Sequence, residues 1–410
     1  MTRGTDITQF RRTYATRNEG SFPDTLDVRL KKESDKKYGE NPNQHCATYA
    51  VESIDGRDAS TIARLTGLRP VRSDTGGKGG LSATNEMDIT RAMRVLSYFE
   101  VPAAVIMKHT IVSAFAKKTQ PSQTQGELFR LARDADRQSN FGGTAVFNTP
   151  LSRETAEALY ELRGQSSFFV DVLAASDYDE GVLDFVQKQS ANVRIAQFTN
   201  LGLAHLPRFK GDNAHGLMSL KEMDTGRMIV QDPYLTSIRG ARDLVLDPMV
   251  VDKEGVAHVI QRGPTPRELD DLVTAWWLNL AGVKSNGIVV VRNGVTQAVG
   301  SGQVERFGAV AQCIVKGMQK AMDREGIRYD SLRGIAGYEN LKDNPFKGAS
   351  ASSDAFFPFP DSVEIFGRVG VSAIVQPYGS IHDAEVIDAA NKYNMAMPAT
   401  LERCFKHNRS

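Results

Sequence analysis

Short apolar runs alternate with helical stretches along most of this chain, and that rhythm constrains the fold more than any other feature. TAVFN (144–148), SFFVDVLAAS (167–176) and VRIAQF (193–198) have the length and composition of buried strands. SRETAEALYELRG and DEGVLDFVQKQS lie between them and read as helices. Strands separated by helices of about ten or more residues predict an α/β layered fold. Upstream, Leu26–Leu30 alternates as a strand, and another strand is expected over 103–107. Helices are expected over 84–99, with Thr84 or Asn85 as N-cap, and over 126–139. A polar stretch near 207–227 interrupts the pattern, which then resumes. PTPRELDDLVTAWWLNLAGV is a strong helix, and GIVVVRNG is a strand closing on an Arg292-Asn293-Gly294 turn. AVAQCIVKGMQKAMDREG is helical, 343–355 is a Gly/Ser/Asp-rich loop, and DSVEIFGRVGVSAIVQPYGS reads as helix, turn and buried strand. EVIDAANKYN is the last long helix. The division this suggests is a polar extension over 1–24, a first α/β lobe over 25–227 and a second over 228–410.

Composition removes several function classes. The net charge is +1, so nothing argues for nucleic acid or an anionic membrane surface as partner. Hydrophobic residues make up 41% of 410 residues, enough for true cores, yet no apolar run is long enough to span a bilayer. Cys46, Cys313 and Cys404 are too few and too scattered for a disulfide framework, and no Cys-x-x-Cys pair suggests zinc. The seven histidines form no metal set. The N-terminus lacks the apolar core of a secretory signal. A soluble cytoplasmic protein with no metal in its chemistry is the expectation.

Five clusters carry possible chemistry. KKYGENPNQ (36–44) is a turn that can present Lys37 and Tyr38 to an anion, although composition alone favours a plain surface turn. Lys108-His109 ends an apolar strand. A neighbouring ammonium disfavours protonation of an imidazole, leaving His109 available as a base, while Lys108 can stabilise developing negative charge. SNFGGTAVFN (139–148) has two glycines that allow a ligand, or simply a tight turn, close to the backbone. KSNGIVVVRNGVTQAVGSGQVER (284–306) places Asn286 before a buried strand and Arg306 at a helix start, a setting suited to an anionic or carboxamide ligand. In SSDAFFPFPDSVE (352–364), paired aromatics could sandwich a flat heterocycle with Asp361 accepting from it. The same segment reads equally as an apolar loop packed under a helix.

Taken in order, these clusters resemble the AICAR transformylase region of the PurH family. The resemblance covers Lys37 to His407. It rests on K-Y-G-x-N-P-x-Q at Lys37–Gln44, K-H at Lys108-His109 and F-G-G at Phe141–Gly143. It continues through V-K-S-N at Val283–Asn286, G-x-G-Q-x-x-R at Gly300–Arg306, S-D-A-F-F-P-F-x-D-S at Ser353–Ser362 and R-x-F-x-H at Arg403–His407. The residues after His109 depart from the family's Asn-Pro turn, running Thr110-Ile-Val-Ser-Ala114. Asn43 stands where the family has His, and Phe307-Gly308 follow Arg306.

The resemblance implies two cytidine-deaminase-like α/β/α lobes, a homodimer with active sites between subunits, and a stand-alone transformylase that relies on a separate IMP cyclohydrolase. It implies formyl transfer from the co-substrate 10-formyltetrahydrofolate to the 5-amino group of AICAR. His109 then moves the proton, Lys108 stabilises the transition state, and Asn286 holds the amine or carboxamide. Lys37, Tyr38 and Arg403 hold the ribotide phosphate. Arg306, Ala355 and Phe356 contact the carboxamide or ribose side. Phe141, Gly142, Phe357, Pro358 and Asp361 line the folate pocket. Three rival readings fit the sequence less well. A zinc deaminase lacks its H-x-E and P-C-x-x-C ligands here. A ribotide or folate sensor without turnover has no need of a poised base. For formylation from formate and ATP there is no P-loop, although ATP can bind by other loops, and the retained F-F-P-F-x-D segment favours folate.

Overall fold

A computed structural model describes residues 4–10, 22–71, 80–161, 168–327 and 338–407. The chain divides into two compact units, one of Asn18–Leu235 and one of Met1–Arg17 with Thr236–His407. Both are mixed α/β.

In the Asn18–Leu235 unit the main sheet runs, in order, Ile111–Lys117, Ala103–Lys108, Gly143–Phe147, Val170–Ala175, Arg194–Gln197 and Arg69–Pro70. Ala103–Lys108 is antiparallel to both neighbours, and the next three strands are mutually parallel. Ala103–Met107 and Gly143–Phe147 are buried at every residue, so both faces of the sheet are covered. The helices Ala83–Leu96 and Gln125–Ala135 pack on these strands. The first is capped earlier than Thr84 or Asn85: Ser82 Oγ accepts the Asn85 N–H at 3.2 Å, and Asn85 Oδ1 accepts the Ser82 N–H at 3.2 Å. The helix expected over 126–139 breaks at Asp136, whose carboxylate accepts the Ser139 N–H at 3.0 Å and starts a new short helix, Arg137–Asn140. Residues 162–167, where the helix of SRETAEALYELRG was expected to end, lie outside the described residues.

The other unit carries a sheet ordered Ala373–Val375, Ser350–Ser353, Ile288–Arg292, Val295–Gly300. Ser350–Ser353 falls inside the segment read as a loop from its composition. Its residues are small, three of the four are serines, and all are buried. Asn279, on the helix Pro266–Gly282 packed against that strand, donates Nδ2 to the Ser352 carbonyl at 3.1 Å. Small side chains thus permit close helix approach where hydrophobicity gave no strand signal. Thr5–Asp6 pairs in parallel with Pro248–Val251, so residues 4–10 are ordered within this unit. The remainder of the expected N-terminal extension, 1–3 and 11–21, lies outside the described residues.

Both units repeat one order of long elements. Helix Ala83–Leu96, a hairpin of Ala103–Lys108 and Ile111–Lys117, helix Gln125–Ala135, strand Gly143–Phe147, helix Arg153–Ala158 and strand Val170–Ala175 form one set. Pro266–Gly282, the hairpin of Ile288–Arg292 and Val295–Gly300, Arg306–Arg324, Ser350–Ser353, Asp361–Val369 and Ala373–Val375 form the other. In each, the first hairpin strand is antiparallel to the next strand, which is parallel to the last.

Candidate functional site

Lys108 and His109 sit on a two-residue hairpin turn. Lys108 pairs with Ile111, leaving His109 and Thr110 as the loop. Their φ angles are 54° and 63°, both positive as a type I′ turn requires. The apolar residues after Thr110 enter the strand Ile111–Lys117, which the sequence reading did not foresee. His109 is exposed and Lys108 half-buried. Lys108 Nζ donates to the Phe141 carbonyl at 2.7 Å, which fixes the ammonium near the Gly-Gly turn. Gly142 has φ of 71°, its N–H donates to the Phe169 carbonyl at 2.7 Å, and open space surrounds the position of a Cβ. Phe141 is exposed, its ring centre 6.2 Å from that of Phe169.

A buried carboxylate lies beneath the turn. Asp88 Oδ1 accepts the Thr110 N–H at 2.6 Å, and Oδ2 accepts the Thr144 hydroxyl at 3.3 Å. Burial pushes the Asp88 carboxyl above the ordinary aspartate value, against the opposing pull of these hydrogen bonds and of His109. Two residues earlier on the same helix, Glu86 pairs with Lys36 and accepts the Thr48 hydroxyl at 2.7 Å. That ties the helix to the hairpin bearing KKYGENPNQ. Its turn is closed by the Gly39 N–H to the Gln44 carbonyl at 2.9 Å and by Gln44 Oε1 accepting the Asn41 N–H at 2.8 Å. Lys37 is exposed and Tyr38 half-buried. One helix therefore anchors both the KKYGENPNQ turn and the Lys-His turn.

In the other unit Asn286 is held at both ends of its amide. Nδ2 donates to the Gln303 carbonyl at 2.9 Å, and Oδ1 accepts from Arg306 Nη2 at 2.8 Å. Arg306 begins the helix Arg306–Arg324 and forms a buried ion pair with Asp354. Asp354 Oδ2 also accepts from Ser285 Oγ at 2.6 Å and from the Gly287 N–H at 3.0 Å. A Cβ on Gly287 would lie 2.5 Å from Asn279 Oδ1 and 2.9 Å from Val283 Cγ1, so any larger residue would have to displace them. The Asp354 carbonyl accepts the Cys404 N–H at 2.9 Å, which anchors the C-terminal signature. Arg403 is exposed, its guanidinium 4.8 Å from the Phe405 ring centre. Ala355 is buried and Phe356 half-buried. The structure places the Phe357 ring in the apolar core, with its N–H donating to Gln376 Oε1 at 2.9 Å. Pro358 is half-buried, and Asp361 is exposed at the start of its helix. The freely exposed ring of this loop is Phe359, 5.1 Å from the His382 ring.

The chemistry available is an exposed imidazole beside an ammonium in one unit, and a fixed amide over a buried Arg–Asp pair in the other. Among the described residues no group of three or more His, Cys, Asp and Glu side chains could hold a metal ion. The sequence profile of the AICARFT/IMPCHase bienzyme family matches residues 6–316. The chain belongs to this AICARFT/IMPCHase family. The bifunctional purine biosynthesis protein PurH of Magnetococcus marinus is 36% identical over 392 residues, covering 95% of this chain and 62% of that protein. PurH of Caldicellulosiruptor saccharolyticus is 33% identical over 391 residues, with the same coverage of 95% and 62%. PurH of Chlorobium phaeobacteroides is 32% identical over 387 residues, covering 93% and 60%. The chain therefore spans less than two thirds of the length of these relatives.

In this AICARFT/IMPCHase chain the sequence-predicted residues fall into two groups. Lys37, Tyr38, Lys108, His109, Phe141 and Gly142 lie in the Asn18–Leu235 unit. Asn286, Arg306, Ala355, Phe356, Phe357, Pro358, Asp361 and Arg403 lie in the other. Glu86, Asp88 and Asp354 were missed. For Asp88 a signal was present: with Ala92 and Val95 it forms an i, i+4, i+7 stripe that is wholly buried. A carboxylate on such a stripe needs partners. A cavity of about 300 Å³, lined by Arg69, Ser176, Asp177, Gln197 and Thr199 among others, takes in none of the predicted residues. It follows the C-terminal ends of Val170–Ala175 and Arg194–Gln197, whereas Lys108 lies toward their N-terminal ends.

Proposed function

We propose that this chain is a purine-biosynthetic formyltransferase, moving the formyl group of 10-formyltetrahydrofolate to the 5-amino group of AICAR. The products are FAICAR and tetrahydrofolate. The observation that carries this reading is the presentation of Lys108 and His109 on an exposed hairpin turn inside a chain of the AICARFT/IMPCHase family. The amine of AICAR is a weak nucleophile, because its lone pair is delocalised into the ring and carboxamide. Its proton must leave as the C–N bond forms, and the tetrahedral oxyanion must be stabilised. His109 takes the proton directly or through the carboxamide. Lys108 stabilises the oxyanion and supplies a proton to the folate nitrogen as the formyl carbon departs. Asn286 orients the acceptor, with Arg306 fixing its amide from behind. Lys37, Tyr38 and Arg403 hold the phosphate through charge-assisted contacts. Arg306, Ala355 and Phe356 meet the carboxamide or ribose side, and Phe141, Gly142, Phe357, Pro358 and Asp361 form the folate side. The same proposal takes the protein as a cytoplasmic homodimer.

The test is tetrahydrofolate formation followed by absorbance, with AICAR and 10-formyltetrahydrofolate in one cuvette and AICAR, formate and ATP in another. Turnover in the first alone supports the proposal. Turnover in the second alone assigns a different formyl donor. Silence in both, with ribotide binding intact by calorimetry, replaces the enzyme by a sensor. Sedimentation velocity decides the homodimer.

A further inference from the structure

The Lys-His turn is built from residues ill suited to its shape. Positive φ at both central positions suits Asn and Gly, whereas a β-branched residue there is strained. Here the positions hold His109 at 54° and Thr110 at 63°. The equivalent hairpin of the other unit uses Asn293 and Gly294, at 54° and 75°. Beneath each turn lies a buried aspartate from the preceding long helix. Asp271 accepts the Asn293 and Gly294 N–H groups at 2.9 and 2.8 Å. Asp88 accepts the Thr110 N–H at 2.6 Å. In one unit the carboxylate supports a turn that its residues already favour. In the other it supports a turn that its residues resist, and that turn carries the base.

Resting on the formyl-transfer reading, we infer that Asp88 is a positioning residue for the reaction: its carboxylate clamps the Thr110 amide, holds Thr110 in the left-handed region and so aims His109. Asp88 is buried, bonded to Thr110 on the turn and to Thr144 on the neighbouring strand, and reaches the reaction only through what it positions. The hairpin strands pair from Ala103 and Lys117 to Lys108 and Ile111, with a register shift between Ile106 and Met107. The charged groups around the carboxyl are His109 on the turn, next to Lys108, and Asp171 on Val170–Ala175. Asp171 in turn accepts from Asn85 at 3.3 Å and from Arg194 at 2.6 Å. A clamp of this kind weakens as Asp88 takes up a proton, and burial brings that point closer to neutral pH.

The test combines kinetics across pH with the amide signal of Thr110 in ¹⁵N-threonine-labelled full chain. Asp88→Leu is expected to lose kcat about 100-fold while the KM for AICAR stays within about threefold, the signature of a misaimed base. Asp88→Asn keeps an acceptor oxygen. It recovers about tenfold of that loss and abolishes the acid-side fall of kcat that Asp88 protonation produces. Adding Thr110→Gly to Asp88→Leu recovers a similar share, because glycine adopts positive φ without help. In the unreacted protein the Thr110 amide shift follows Asp88 titration, and in Asp88→Asn it becomes pH-independent. Wild-type kcat in Asp88→Leu, or a Thr110 amide blind to Asp88 replacement, overturns the clamp. The amide readout needs no turnover, so failure of formyl transfer and failure of the clamp are separable. Should Asp88→Leu not fold, Thr144→Val tests the same point. It removes one hydrogen bond to the carboxylate and must move the Thr110 titration to higher pH; an unmoved titration overturns the inference.

Discussion

The two tight hairpins, one in each unit, share a turn type and a supporting aspartate but differ in what their central residues tolerate. Asn293-Gly294 adopts positive φ readily, and its Asp271 is fully buried. His109-Thr110 adopts the same geometry with a β-branched residue at its second position, and His109 is exposed. Strain of about 1–3 kcal/mol per residue persists only where surrounding structure over-determines it. The difference teaches that one supersecondary device can serve stability in one place and presentation of a reactive group in another. The residues on the turn decide which.

The largest stability effect tests the relaxed side. Arg306→Ala leaves the Asp354 carboxylate buried without its cation, beside the entry to the Asn–Gly hairpin. The expected loss is about 3–5 kcal/mol in chemical denaturation. A smaller effect concerns the helix beneath that hairpin. Burial opposes ionisation of Glu268, but Arg262 at 2.9 and 3.0 Å and the Thr265 N–H at 2.8 Å outweigh it and hold the carboxyl down to about 2, from an ordinary 4.5. A depressed carboxyl stabilises the fold above its unfolded value and loses that contribution as pH falls toward 2. Glu268→Gln should therefore cost on the order of 3 kcal/mol at neutral pH, and progressively less in melts below about pH 4.5.

Reciprocal swaps sharpen the comparison itself. Gly294→Thr puts a β-branched residue at φ of 75° and should destabilise by about 2 kcal/mol. Thr110→Gly relieves the same strain and should leave stability unchanged or raise it by up to about 1 kcal/mol. A destabilising Gly294→Thr beside a neutral or stabilising Thr110→Gly in thermal melts supports a strained Lys-His turn, and a destabilising Thr110→Gly refutes it. The smallest effect is shared by both hairpins. Burial raises the Asp88 and Asp271 carboxyls, so each binds its proton more readily folded than unfolded. Stability contributed by the protonated form is lost as pH rises from the ordinary value through the raised one. Asp88→Asn and Asp271→Asn should each flatten that slope in melts run upward from about pH 4.

The Asn–Gly turn was legible in the sequence, because an Asn-Gly pair after a β-branched run has one dominant geometry, although the returning strand Val295–Gly300 was not foreseen. The Lys-His hairpin was not. His109-Thr110 carries no turn signal, and Ile111–Lys117 passed unnoticed as a strand. Its geometry is imposed by the helix and the neighbouring strand, through Asp88 and Thr144, which lie 22 and 34 residues from Thr110 in the chain. Long helices were legible because amphipathic spacing survives without tertiary context, as in Pro266–Gly282 with its Thr265 cap. Ser350–Ser353 was hidden because its burial depends on smallness rather than hydrophobicity. The candidate residues were legible as motifs. The carboxylates that hold them, Glu86, Asp88 and Asp354, became visible only once distant segments were brought together.

The most direct test of this account compares turnover in two variants made at matched turn positions. His109→Ala and Asn293→Ala each remove the side chain at the first central residue of a type I′ turn. With AICAR and 10-formyltetrahydrofolate, His109→Ala should lose about 10²–10⁴-fold in kcat, the range of a lost general acid–base group, while Asn293→Ala stays close to wild type. Comparable turnover in the two variants would contradict the claim that the strained hairpin carries the chemistry.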